Sequence, residues 1–142
     1  MEALAKEKTM CVLATVSGGQ PHCSLMAYAA DDACRRIYMV TRKSTRKYKN
    51  LLDNPGVSLL IDTRGEGERG ETKALTIEGT YEPVTDPQEQ KTATDLLLRI
   101  HPDLKIFMDH PESVLICIRI RSFLLLEGFT DARYKPVDDT PA

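Results

Sequence analysis

The sequence lacks several features that would assign it to a class of protein at once. Its 142 residues have a formal net charge of only -2, so the overall charge does not favour binding to nucleic acid or to an anionic membrane. No stretch approaches the roughly 18 apolar residues of a membrane span, and the polar N-terminus does not resemble a signal peptide. We therefore expect a cytoplasmic protein with neither nucleic-acid nor membrane partners.

Motifs for metal binding and covalent catalysis are also missing. The four cysteines form no CxxC pair, and the three histidines, His22, His101 and His110, are too scattered for a metal site. No G-x-S-x-G sequence occurs, and Gly65–Gly70 fits the dinucleotide pattern G-x-G-x-x-G only with carboxylates that would repel a pyrophosphate. We expect all four cysteines to be reduced and structural, and we expect no metal ion. Cys23 either faces a ligand or fills the interior of the fold, and the neighbouring apolar residues favour the interior.

The composition is that of one ordinary globular domain, with 42% hydrophobic and 28% charged residues. A chain of this length buries roughly 68–70% of the surface of its unfolded form, enough for a core without disulfides or metals. We predict a single domain over residues 1–142, of which residues 131–142 form a flexible tail because they contain few apolar side chains.

The order of apolar and turn-forming residues predicts a mainly β fold with a few helices. Strands are expected at residues 10–16, 22–28, 37–41, 57–62, 74–81 and 114–121. Residues 123–129 are either a hairpin partner of the last strand or its continuation. Helices are expected at residues 2–8, 45–53 and 86–100, with a further helical turn at residues 104–108. Because the first connections are too short for crossover helices, we predict a small antiparallel barrel or closed Greek-key sheet.

One local charge cluster is unusual in this nearly neutral chain. The segment Arg42–Lys49 contains five basic residues and no acidic residue. Arg46 and Lys47 follow the predicted helix cap Ser44–Thr45, where positive side chains oppose the helix dipole unless an anion is bound. Backbone N–H groups, a threonine hydroxyl and two cations would together bind a phosphate. The alternative is a solvated charge cluster on an exposed helix.

Three segments in this order resemble the FMN-binding split-barrel family, the pyridoxamine 5'-phosphate oxidase-like proteins. The first is Leu13–Val16 with Gly19–Ser24, the second is Ile37–Thr41, and the third runs from Ser44 to Leu60 through Asn54–Pro55. The resemblance implies a split β-barrel and a homodimer with FMN in clefts at the subunit interface.

The resemblance also implies roles for individual residues of this chain. Arg46 and Lys47 would hold the flavin phosphate, Thr41 and Thr45 would add hydroxyl contacts, and strand residues 22–26 would run along the flavin ring. The complete set of implied cofactor-binding residues is His22, Cys23, Ser24, Leu25, Met26, Val40, Thr41, Thr45, Arg46 and Lys47. A flavin would carry the redox step while the protein binds and orients it.

The second half of the chain leaves other functions open. His101–Lys105 and Phe107–Pro111, followed by Leu125–Phe129, resemble the haem-utilisation branch of the same superfamily, in which His110 would be a candidate haem ligand. The chain has no Trp and no Arg-rich C-terminal segment of the kind that true pyridoxamine phosphate oxidases use, which argues against that activity. We therefore expect an FMN-dependent oxidoreductase on an unknown small substrate, and keep as alternatives a haem-binding or haem-degrading protein, a non-catalytic flavin sensor, a deazaflavin protein and a cofactor-free interaction domain.

Overall fold

Antiparallel strands account for most of residues 1–137, the part of the chain that the computed structural model describes. The strands are β1 (Met10–Ser17), β2 (Gln20–Ala27), β3 (Ala29–Ala30), β4 (Arg36–Arg42), β5 (Gly56–Asp62), β6 (Lys73–Pro83), β7 (Ser113–Glu127) and β8 (Asp131–Pro136). The helices are α1 (Glu2–Glu7), α2 (Arg46–Asp53), α3 (Pro87–Ile100) and α4 (Lys105–Met108), with 3₁₀ turns at Arg69–Glu71 and Pro102–Leu104. No helix within residues 1–137 has the length and apolar content to span a membrane.

The strands form one curled sheet in the order β2-β1-β5-β6-β7-β4-β3, and β8 pairs with β7 beside this path. Every pairing is antiparallel. The first half of β7 pairs with β4 and its second half with β8, while β6 runs along its other edge. Strands β2 and β4 are not hydrogen-bonded to each other in the described residues, so the barrel stays open between them. The sheet is therefore the split β-barrel that the resemblance implies.

Glycines at two places, a hairpin loop and a β-bulge, explain how the sheet turns and bends. Gly18 and Gly19 form the two-residue loop between β1 and β2 with φ angles of 57° and 75°, a left-handed conformation that suits such a hairpin. Gly79 lies at a β-bulge between β6 and β7. A Cβ atom at Gly79 would lie 2.5 Å from Cγ2 of Ile118 and 2.8 Å from the carbonyl oxygen of Arg119. Glycine is therefore required at this bulge.

The barrel interior is filled by alternate residues of its strands. Six of the largest fully buried side chains are Leu13, Met39, Leu59, Ile77, Ile116 and Phe123. A second, smaller cluster lies outside the barrel, where Ala93 and Leu97 of α3 pack against Tyr38 of β4 and Cys117 of β7. Because both faces of β4 and of the first half of β7 are covered, these strands hold a fixed position beside the open edge.

The structure confirms the mainly β prediction and the expected helices. It also decides between two alternatives for residues 123–129 and corrects the prediction for the C-terminal segment. The strand predicted at residues 114–121 continues as far as Glu127, so residues 123–127 are its continuation and not a hairpin partner. The flexible tail predicted over residues 131–142 is wrong for residues 131–136, which form β8. All six β8 residues are exposed, so the strand depends on backbone pairing that an apolar pattern cannot reveal. Residues 138–142 of the expected tail lie outside the described part of the chain.

Candidate functional site

An open cleft of about 290 Å³ lies where β2 faces the end of β4 across the split in the barrel. Six of the ten predicted cofactor-binding residues line it: Leu25, Met26, Val40, Thr41, Thr45 and Lys47. Four further lining residues were not predicted: Ala27, Arg42, Leu104 and Phe107. We call this the β2/β4 cleft. The fold thus brings together residues from two strands, the start of α2 and the segment around α4.

The other four predicted residues lie beside the cleft and do not line it in the single chain. His22 and Ser24 are half-buried on β2, on the face shared with Thr15 and Leu13 of β1. Cys23 is exposed, so the expectation that it fills the interior is wrong. Its neighbour across the strand pair, Ala14, points outward as well. The reason is the two-residue period of a strand, which places Cys23 and the buried Met26 on opposite faces.

The threonine pair at the start of α2 is fixed by hydrogen bonds. Thr45 caps the helix, since its Oγ1 accepts a hydrogen bond of 3.3 Å from the Tyr48 backbone N–H. The Thr45 hydroxyl also donates to the carbonyl oxygen of Arg42 at 2.8 Å and lies 3.2 Å from the hydroxyl of Thr41. The hydroxyls of Thr41 and Thr45 are therefore held side by side at one end of the cleft.

This end of the cleft has a positive charge that no neighbouring acid neutralises. The first turn of α2 contains no acidic residue. No carboxylate lines the cleft, and Arg42, Arg46 and Lys47 make no ion pair among residues 1–137. Cations at a helix N-terminus oppose the helix dipole, so this arrangement is more favourable with an anion bound.

Arg42 is the unpredicted residue with the most distinctive geometry. Its guanidinium carbon lies 4.8 Å from the ring centroid of Phe107, a cation–π contact. Its Nε is buried and has no hydrogen-bond partner in the described part of the chain. The segment that holds Phe107 is attached to the sheet, because Ser113 Oγ donates to the Phe107 carbonyl and Lys43 N–H donates to that of Glu112. Arg42 belongs to the basic segment found in the sequence, but only the structure shows which face of β4 it occupies.

The buried cysteines and two of the histidines are held by burial or by hydrogen bonds within the fold. Burial raises the pKa of Cys11 and Cys117 to about 12 and that of Cys34 to about 11, so these groups remain thiols at neutral pH. His101 Nε2 lies 2.9 Å from the Tyr28 carbonyl oxygen, and His110 Nδ1 accepts from the Glu112 N–H at 3.0 Å. The described residues contain no cluster of three His, Cys, Asp or Glu side chains that could hold a metal ion.

A broad face of the sheet next to the cleft is apolar and exposed. Paired residues form one row across six strands: Leu25, Val12, Leu60, Thr76, Leu124 and Tyr134. Leu25 is 71% exposed, Leu124 is 42% exposed and Tyr134 is 66% exposed. Adjacent rows on this side add Met10 and Leu126, also exposed. We call this surface, on the outside of strands β2, β1, β5, β6, β7 and β8, the outer apolar face. Leu25 belongs to both the face and the cleft.

Comparison with solved structures identifies proteins of the same fold. A heme binding protein from Mycobacterium smegmatis matches with a TM-score of 0.83 and 18% identity, over 95% of this chain and 56% of that protein. HutZ, a heme storage protein from Vibrio cholerae, matches with a TM-score of 0.74 and 17% identity, over 89% and 91% of the two chains. An FAD-binding protein from Mesorhizobium loti matches with a TM-score of 0.71 and 22% identity, over 87% and 88%.

These likenesses show the fold alone, since each identity is below one quarter. The chain spans only 56% of the length of the Mycobacterium protein. No curated protein matches the sequence. The family model described as pyridoxamine 5'-phosphate oxidase, however, matches residues 1–126, which include the whole β2/β4 cleft. The chain therefore belongs to the pyridoxamine 5'-phosphate oxidase family.

Proposed function

We propose that the protein binds FMN in the β2/β4 cleft, as a homodimer, and uses the flavin as an oxidoreductase acting on a small substrate. One observation carries the proposal: the cleft combines cations and threonine hydroxyls at one end with apolar walls, and contains no carboxylate. FMN has the matching chemistry, with a dianionic phosphate at one end and a flat, largely apolar ring at the other.

The phosphate end is formed by the start of α2. Thr45 offers its hydroxyl, Thr41 lies 3.2 Å from it, and Lys47 adds a positive charge within the cleft. Arg46 is exposed beside them and reaches the phosphate when its long side chain turns towards the cleft. Charge-assisted hydrogen bonds of this kind are stronger than neutral ones, so this end provides much of the affinity.

The ring end is formed by β2 and β4. Leu25, Met26 and Val40 provide apolar surface for the isoalloxazine ring. His22, Cys23 and Ser24 continue along β2, and the backbone of this edge strand is free to hydrogen-bond the pyrimidine edge of the ring. In the proposed dimer a second subunit covers this strand and excludes water from the ring.

When bound, FMN supplies the transfer of a hydride or of single electrons. The protein's own residues bind and orient the flavin, and among the described residues that line the cleft, Arg42 and Lys47 are the ones that carry a charge. Pyridoxamine phosphate is not the proposed substrate, because the sequence lacks the Trp and the Arg-rich segment expected of enzymes with that activity.

The outer apolar face supports the dimer. Its three central rows contain two acidic residues, Asp62 and Glu78, among mostly apolar or small side chains. Exposed apolar patches of this kind mark protein interfaces, and the face continues into the β2/β4 cleft through Leu25. A second copy seated on it would meet an identical apolar surface and would close the cleft of its partner. A two-fold dimer satisfies both requirements at once.

Haem is the second candidate ligand for the same cleft. Its propionates would use the same cations as the flavin phosphate, and its porphyrin the same apolar walls. Two of the proteins with this fold are a heme binding protein and a heme storage protein. His110 would be the candidate haem ligand, but it is not among the residues that line the cleft. Its Nδ1 also accepts a hydrogen bond from the Glu112 backbone N–H, which leaves the proton of the neutral ring on Nε2. FMN is therefore preferred.

The test is an absorption spectrum of the purified protein, followed by titrations with FMN and with haemin. Flavin bands, or quenching of FMN fluorescence at a stoichiometry of one FMN per chain, are the expected result. A Soret band with haemin and no uptake of FMN would replace the proposal by the haem alternative. Sustained turnover with NADH or NADPH and an electron acceptor would separate an oxidoreductase from a passive flavin binder.

A further inference from the structure

We propose that Arg42 is an additional anion-binding residue, which contacts the phosphate of the bound flavin from the β4 side of the cleft. The inference rests on the proposed function and goes beyond the Arg46–Lys47 pair that the sequence resemblance implies. Arg42 would be a second cation lining the cleft, on strand β4, whereas Lys47 lies on helix α2.

The first observation is an unsatisfied donor. The Nε of Arg42 is buried and has no hydrogen-bond partner, and no acidic side chain pairs with Arg42 among residues 1–137. A buried N–H without an acceptor is unfavourable, and such groups in native proteins usually have a functional reason. A phosphate oxygen in the cleft would accept from the guanidinium group and would supply the negative charge that Arg42 lacks among these residues.

The second observation is that Arg42 is held in position before any ligand binds. The ring of Phe107 lies 4.8 Å from the guanidinium carbon, and the Phe107 carbonyl accepts a hydrogen bond from Ser113 Oγ. The backbone carbonyl of Arg42 accepts hydrogen bonds from the N–H and the hydroxyl of Thr45, at 3.1 and 2.8 Å. Arg42 is therefore linked directly to the cap of α2. Fixed side chains lose less entropy on binding than free ones.

The third observation is the contrast between Arg42 and Arg46. Arg42 and Lys47 both line the cleft, whereas Arg46 is exposed and does not. The two arginines have the same charge and lie four positions apart, so they form a matched pair. If Arg42 faces the phosphate, removing it weakens flavin binding at least as much as removing Arg46.

A purely structural role for Arg42 is the competing explanation, in which the guanidinium only holds α4 through Phe107. FMN and riboflavin separate the two roles, because they share the ring and the ribityl chain and differ in the phosphate. Loss of a phosphate contact weakens FMN binding alone, whereas a distorted cleft weakens the binding of both flavins.

The experiment measures the Kd of FMN and of riboflavin for the full chain and for the variants Arg42→Ala, Arg42→Met, Arg46→Ala and Lys43→Ala. Lys43 is the control, because it is exposed and lies next to Arg42 but does not line the cleft. Arg42→Met retains the unbranched side chain against Phe107 and guards against a failure of Arg42→Ala to fold. We expect both Arg42 variants to lose about tenfold to a hundredfold in FMN affinity, with riboflavin affinity and the Lys43 variant unchanged.

Two results would overturn the assignment. Equal losses of FMN and riboflavin affinity would leave Arg42 a structural residue, and an Arg42→Met variant that binds FMN like the wild type would show that it makes no phosphate contact. Either result leaves the proposed function intact. If instead the wild-type protein binds neither flavin, the proposed function fails, and the role of Arg42 fails with it.

Discussion

Asn50 donates a hydrogen bond of 3.1 Å from its side-chain amide to the hydroxyl of Thr15, and both side chains are buried. Asn50 lies on α2 and Thr15 on the inner face of β1, so this bond attaches the basic helix to the barrel wall. The position of Lys47 in the β2/β4 cleft depends on that attachment. A buried polar pair of this kind fixes orientation more than it adds stability.

Replacing one partner of this pair is expected to destabilise the fold. Asn50→Leu leaves the Thr15 hydroxyl buried without its partner and lowers the free energy of unfolding by about 1–3 kcal/mol. The double variant Thr15→Val with Asn50→Leu removes both polar groups and recovers part of the loss. Urea unfolding measures both. A single variant as stable as the wild type would show that the bond contributes nothing.

Gly79 gives a second test of stability. An alanine there brings Cβ to 2.5 Å from Ile118 Cγ2 and 2.8 Å from a backbone oxygen, so strand β7 has to shift. We expect Gly79→Ala to lower the free energy of unfolding by about 1–3 kcal/mol. Gly70→Ala is the control, because a Cβ atom there would meet no described atom within 4 Å outside its two chain neighbours. Equal melting temperatures for the two variants would contradict the prediction.

Most of the fold was predictable from the sequence because its strands have clear boundaries and periods. The alternation of Ile116, Ile118 and Ile120 with other residues correctly predicted the inner face of β7. The pattern could not predict β8, whose side chains are all exposed. Nor could it predict that Cys117 would be buried on the opposite face, since that depends on α3 packing there.

The candidate site was predictable only in part, for a related reason. Thr41, Thr45 and Lys47 lie within one short segment and enter the cleft together. Leu104 and Phe107 come from a segment more than fifty positions away, and no local pattern places them against β4. Arg42 is a member of the same basic run as Lys47, but its contact with Phe107 depends on that distant segment.

The basic start of α2 is expected to hold the flavin phosphate. Arg46→Ala with Lys47→Ala should weaken FMN binding by about 1.5–3 kcal/mol for each lost charge-assisted contact. Lys43→Ala with Lys49→Ala removes the same net charge from exposed positions outside the cleft. Fluorescence titration of both double variants at one ionic strength separates a local contact from a general charge effect. Equal FMN affinities in the two would contradict the phosphate assignment.

The buried thiols predict how stability depends on pH. Burial raises the pKa of Cys11 and Cys117 from 9.0 to about 12. The stability that each protonated thiol contributes is complete below its unfolded pKa and is lost as pH rises towards the folded value. The free energy of unfolding should therefore fall between about pH 9 and about pH 12, with a limiting slope on the order of 1 kcal/mol per pH unit for each thiol.

Variants of single cysteines check this assignment. Cys11→Ala removes one buried thiol and should flatten the pH dependence, although it also lowers stability at every pH. Cys23→Ser changes an exposed thiol and should leave the slope as it is. Denaturant unfolding at several pH values gives both slopes, and identical slopes in the two variants would show that burial of Cys11 is not the cause.

The outer apolar face is expected to hold two copies of the chain together. Leu124 is 42% exposed there and does not line the β2/β4 cleft, so Leu124→Arg places two like charges in a two-fold interface without touching a proposed FMN contact. Like charges brought together out of water cost several kcal/mol. Light scattering should therefore report a dimer for the wild type and a monomer for the variant. Leu52→Arg is the control, since Leu52 is 61% exposed on α2 and lies off this face.

The monomeric Leu124→Arg variant should also bind FMN more weakly, because the second subunit covers β2 in the proposed dimer. A wild-type monomer would show that there is no dimer interface and that the cleft binds its ligand within one chain. A Leu124→Arg dimer with unchanged FMN affinity would place the interface on another surface.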